Sequence, residues 1–158
     1  MNLLPIFEAL ENGPIGFVMK DKPITFATVE TFHLLALAVL GGAVFASDLR
    51  LLNMILRDVP SKEITDAAHK WFKWALVVLL VTGFFMLAGV ATKCYHNPYY
   101  WTKMMTLAVG ILFAYFVRKP LLAGDHSEIN PVTLKMVGLA SISLWVGVAA
   151  AGRWLGFS

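Results

Sequence analysis

Phe26-Ala-Thr-Val-Glu-Thr-Phe-His-Leu-Leu-Ala-Leu-Ala-Val-Leu-Gly-Gly-Ala-Val-Phe-Ala-Ser47 reads as a membrane span, yet it carries His33 in its body and Glu30 one helical turn earlier. A helix of about 20 apolar residues crosses the ~30 Å hydrocarbon core of a bilayer. A titratable imidazole there is costly, and its usual justification is a ligand, a proton or a partner charge. His33 is therefore the first candidate for a functional side chain.

The rest of the chain has the same character. Of its 158 residues, 58% are hydrophobic and only 15% charged, and the mean hydropathy is +0.70, beyond the range of soluble domains. The expected fold is all-α: one integral-membrane domain over residues 1–158, built as an up-down four-helix bundle with spans near 26–47, 71–91, 99–117 and 132–154. Asn97-Pro98 and Asn130-Pro131 each set a capping Asn before a Pro suited to the first helical position, so the third and fourth spans should begin there. Pro120 should end the third. The first helix is expected to run on through Arg57, until Asp58-Val-Pro60 stops it. Leu3, Leu4, Ile6, Phe7 and Leu10, set against Glu8, Glu11 and Asn12, predict a short interfacial helix that Gly13-Pro14 breaks. No cleavable leader is expected, because the amino-terminal stretch lacks a positive region and a small-residue cleavage site.

Charge gives an orientation. Eight basic residues flank the first and third connections (Arg50, Arg57, Lys62, Lys70, Lys73, Arg118, Lys119 and Lys135), against five on the other side (Lys20, Lys22, Lys93, Lys103 and Arg153). The larger group should be cytoplasmic, leaving both termini outward. The scattered basic residues form no nucleic-acid patch. Asp48 and Arg118, at the cytoplasmic ends of the first and third spans, are expected to pair and staple those helices.

At ~1.5 Å rise per residue, His33 and Lys103 each fall roughly 7 Å outward of the middle of their spans. Glu30 and Arg153 belong to the same outer layer, and Trp145 lies deeper. Three readings of this constellation stand side by side. His33 could ligate a haem b iron while Lys103 and Arg153 neutralise propionates. With Glu30 and Lys103 it could hold a quinone head group, the imidazole carrying a proton. Alternatively, Glu30 pairs with Lys103 or Arg153, and His33 only bonds across the bundle to fix register. No second intramembrane His is available for bis-His ligation. His96 belongs to what reads as an interfacial loop, Cys94-Tyr-His-Asn-Pro98, while His69 and His126 read as solvated or interfacial. Copper handling through Cys94, His96 and the seven Met is a further metal reading, although the Met do not cluster. The one Cys rules out an intrachain disulfide.

The ordered set Glu30-Thr-Phe-His33, Asp48-Leu-Arg-Leu-Leu52, Thr82-Gly83, Asn97-Pro98 with Lys103, and Leu144-Trp145 with Gly152-Arg153 resembles an uncharacterised family of small bacterial inner-membrane proteins. That resemblance spans nearly the whole chain and implies about four transmembrane helices and no assigned activity. A looser similarity links His33, Gly42, Arg50 and Lys103 to the haem-binding four-helix protoporphyrinogen oxidases of bacteria and to copper-resistance type membrane proteins. It implies haem binding, although Asp48-Leu-Arg stands where the oxidases have Pro-Arg-Leu. The functional expectation is thus a b-type haem protein of membrane electron transfer, working with a membrane redox partner or as a homo-oligomer. The alternatives are a non-catalytic accessory subunit and a quinone-binding or copper-handling protein.

Overall fold

Nearly every turn of this chain is helical in the computed structural model, which describes residues 3–155. Two short helices, α1 (Leu4–Asn12) and α2 (Pro14–Asp21), precede the long α3 (Pro23–Leu51) and α4 (Ser61–Gly89). A one-and-a-half-turn α5 (Ala91–His96) leads into α6 (Pro98–Leu112), which continues through a π-helical turn, Phe113–Arg118, into α7 (Lys119–Leu121). A 3₁₀ turn at His126–Glu128 precedes α8 (Pro131–Leu155). Four apolar stretches, Pro23–Leu51, Ser61–Gly89, Pro98–Leu121 and Pro131–Trp154, are long enough to cross a membrane. They form the expected four-helix bundle. α3 packs along α4 and α8, and α8 along α6, whereas α4 and α6 do not pack closely against each other.

The bundle is apolar outside as well as inside. Phe32, Leu35, Trp74, Met105 and Phe116 all face outward, as a lipid-facing surface requires. Along α3 the buried stripe is Ala36, Leu40, Val44, Ser47 and Leu51, at helical spacing. At mid-height Leu40, Val44, Phe72, Ala75, Leu76, Trp145 and Val148 form one apolar layer. A smaller cluster of Leu51, Leu122 and Val137 closes the end away from the termini.

Asn97 and Asn130 cap α6 and α8 as expected, accepting from the amides of Tyr99 and Val132 at 2.9 Å each. Elsewhere the chain departs from its sequence reading. α3 stops at Leu51 instead of running to Arg57. Its end is a Schellman closure: the amide of Met54 reaches the Leu49 carbonyl at 2.9 Å and that of Asn53 the Arg50 carbonyl at 3.0 Å, with Asn53 left-handed at φ 60°. Arg50 then folds over the connection and donates to the Val59 carbonyl at 2.9 Å. α4 does begin where the sequence indicates, at Ser61 after Pro60, with Glu63 in its polar first turn and the apolar run following from Trp71. Residues 91–96 form α5 where a loop was expected. The interfacial segment is two helices, broken at Gly13-Pro14 as the sequence indicates. α2 crosses α4 closely at Gly16, where a Cβ would stand 2.8 Å from the Ala88 carbonyl oxygen.

Two electrostatic ties hold this arrangement. Near the termini, Glu11 accepts from Lys20 of α2 and from the Thr92 amide at the start of α5, clamping the α1–α2 hairpin onto the bundle. Burial works against the ionised carboxylate, but the hydrogen bonds from Lys20 and Thr92 outweigh it and hold the pKa at about 2. At the other end, Asp48 is fully buried, and Arg118 donates from Nη2 to Asp48 Oδ1 at 2.8 Å and to Ser47 Oγ.

Removing Arg118 would strand the Asp48 charge in a dry site. Arg118→Met should therefore cost about 3–5 kcal/mol, while Asp48→Leu with Arg118→Met should recover most of it. Thermal unfolding of the single and double variants in detergent measures both. The Glu11 clamp has its own pH signature. A depressed carboxylate pKa gives stability that is complete above about pH 4.5 and lost as pH falls towards 2. Glu11→Gln should abolish that dependence in a melting-temperature series across the same range.

Candidate functional site

His33 lies on the inward edge of α3, three residues before Ala36 on the buried stripe, and is itself half-buried. Its Nδ1 is 2.8 Å from Thr82 Oγ1 on α4. The Thr82 hydroxyl has one proton and lies 2.6 Å from the Val78 carbonyl, which can only accept. Thr82 therefore donates to Val78, and the bond from the ring must come from an Nδ1–H. In a neutral ring that assignment leaves the second lone pair on Nε2. Gly83 permits the approach, since a Cβ there would lie 3.4 Å from His33 Cε1.

Lys103 comes from the facing side of the bundle. Its aliphatic stem and ammonium lie over Gly152 of α8, where a Cβ would be 3.6 Å from Cε and 3.7 Å from Nζ. The ammonium forms no ion pair with a carboxylate among the described residues. Burial pushes the Cys94 thiol up, against the pull of Lys103 and Lys93, so this cysteine is a neutral neighbour. Cys94 and His96 do not assemble with other donors into a metal-binding group among the described residues.

His33 and Lys103 are both partly buried, whereas Glu30 and Arg153, which the sequence sets in the same outer layer, are exposed. Glu30 is exposed, away from the Ala36–Leu40 stripe, and makes no ion pair among the described residues. Spacing of three residues put it one turn above His33, but the face that turns inward is set by Val29 and His33. Arg153 is exposed near the end of α8. Trp145 is buried in the apolar layer, edge-on to Phe72 with ring centroids 5.2 Å apart and packed over Gly110. It forms a floor beneath the polar residues. His69 stacks on Phe72 at 6.3 Å and meets Tyr115 edge-on. His126, which the sequence reads as solvated or interfacial, is instead buried, held between Ser61 Oγ at 2.8 Å and the Leu122 carbonyl at 3.2 Å. His96 is exposed on α5.

Cavities of about 380 Å³ and 300 Å³ lie elsewhere, one between α2, α3 and α4 and the other beside Lys93 and His96. Thr82 is the partner that sequence reasoning missed. Its signal was the Thr82-Gly83 pair among the motifs of the family resemblance, which did not say what the hydroxyl would meet.

Four apolar helices define a multi-pass helical membrane protein, with the partly buried His33 and Lys103 in the half nearer its termini. The chain belongs to a family of unknown function, DUF6644, whose model matches residues 6–158. Comparisons with curated proteins and with solved structures give no match.

The Thr82 bond makes a measurable statement about the ring. Side-chain ¹⁵N shifts of His33 should report the Nδ1–H tautomer, and Thr82→Val should convert it to a mixture. A dominant Nε2–H form in the parent protein would overturn the assignment.

Proposed function

We propose that the protein is a b-type haem protein of a bacterial cytoplasmic membrane, with both termini outward, that passes electrons within the bilayer. The observation that carries this reading is the His33–Thr82 hydrogen bond, which engages Nδ1 and leaves Nε2 of a neutral ring for a ligand. A ligating imidazole is ordinarily fixed in this way, by a hydrogen bond from its other nitrogen. His33 would supply a single axial ligand. Lys103 would meet the propionate charge, with Arg153 completing it nearer the surface. Such a group would lie at the level of His33, above the apolar layer that contains Trp145. Beneath it, Trp145 and Phe72 exclude water. Bound haem would supply one-electron chemistry; the chain's own part is to hold the iron and balance charge.

A second reading has a specific observation behind it. The His33–Thr82 bond also ties α3 to α4, which is all that an accessory subunit needs from it. Haem-replete expression separates the two. The haem protein should show a Soret band and a reduced α band, His33→Ala should abolish both, and Lys103→Met should weaken retention without removing them. No Soret band in replete material overturns the proposal, and copurified quinone without visible absorbance points to a quinone site instead. Unchanged spectra in His33→Ala would move the ligand elsewhere.

A further inference from the structure

The clamped hairpin creates a second feature, independent of His33. Between α2, α3 and α4 the surface opens into an almost wholly apolar notch of about 380 Å³, walled by Ile15, Val18, Met19, Thr25, Val29 and Phe85. It lies where α3 enters the bilayer, and the Glu11 ties to Lys20 and Thr92 hold its α2 wall in place before anything binds.

Two observations at its rim indicate an anionic head group. Lys22, one turn before Thr25, is exposed and forms no ion pair among the described residues, whereas Lys20 is already engaged by Glu11. α3 starts at Pro23 with no side chain capping its first turn, so the positive end of a 29-residue helix faces the same rim. Asp21 is exposed beside Lys22 and offsets part of the attraction, so apolar burial has to supply binding and Lys22 the preference between head groups.

We propose that this notch binds one anionic phospholipid, with an acyl chain against α2, α3 and α4 and the phosphate at Lys22 and the start of α3. At this height a molecule with a long apolar tail and a charged head meets both walls, whereas a soluble anion meets only the rim.

Native mass spectrometry of the full chain, released from detergent with phosphatidylglycerol or with phosphatidylcholine of matched chains, tests this directly. The expected result is one tightly retained phosphatidylglycerol. Lys22→Gln should lower the phosphatidylglycerol preference about fivefold and leave phosphatidylcholine unchanged. Val18→Trp should fill the notch and remove the bound lipid of either kind, and Val29→Phe repeats the test from the α3 wall should the first variant unfold. Equal retention of both lipids by the parent, or unaltered retention in folded Val18→Trp and Val29→Phe, would mean only annular lipid and overturn the proposal.

Discussion

The buried ion pair between Asp48 and Arg118 is the constraint around which the bundle is organised. A carboxylate with no exposure tolerates only a narrow set of geometries, because its charge has to be met at hydrogen-bond distance or not carried at all. Arg118 meets it at 2.8 Å and also engages Ser47. α8 closes the third side: Gly138 brings its backbone against the Asp48 carbonyl, where a Cβ would stand 3.1 Å from the oxygen. One pair thus fixes the rotation of α3, the depth of the α6 segment and the approach of α8. It is expensive as a source of stability and effective as a source of register. Asp48 Oδ2 and Arg118 Nε have no hydrogen-bond partner among the described residues, which marks the cost of holding both charges in so dry a place.

Between this pair and the His33 site lies the apolar layer of Leu40, Val44, Phe72, Leu76 and Trp145. The two polar regions are consequently separate, one in each half of the bundle. Trp145 belongs to the layer, because an indole of that size fills the space that α4 and α6 leave between them. His33 escapes it by sitting higher, at the level where Thr82 and Gly83 give the ring a hydroxyl to bond and a surface without a side chain.

Much of this was legible in the residues, and the remainder was not for identifiable reasons. Span positions followed from hydropathy, two helix starts from Asn-Pro pairs, and the Asp48–Arg118 pair from opposite charges at matching depth. The end of α3 was hidden because Asn53 takes the left-handed role usually given to Gly, so residues 52–57 still looked helical. Glu30 and His33 share a turn, but hydropathy in an all-apolar helix has almost no directional signal, and only the packing shows which of the two turns inward. His126 was misread because burial of a loop histidine depends on Ser61, sixty-five residues away in sequence. Long-range partners of that kind leave no local trace.

The π-helical turn at Phe113–Arg118 also has a consequence for chain length. Pro120 has no amide proton to offer the Phe116 carbonyl and its ring would collide with it in an α-helix, so the chain accommodates one more residue in the turn. Each added residue advances the angular position of everything after it by about 100°. Phe116 and Val117 point to lipid while Arg118 reaches inward to Asp48. What is specified in this segment is therefore a count as much as a composition: the number of residues separating the Asn97 cap from Arg118 determines whether a charge faces its partner or the hydrocarbon. A substitution among them changes one contact, whereas an insertion or deletion changes the phase of the helix end.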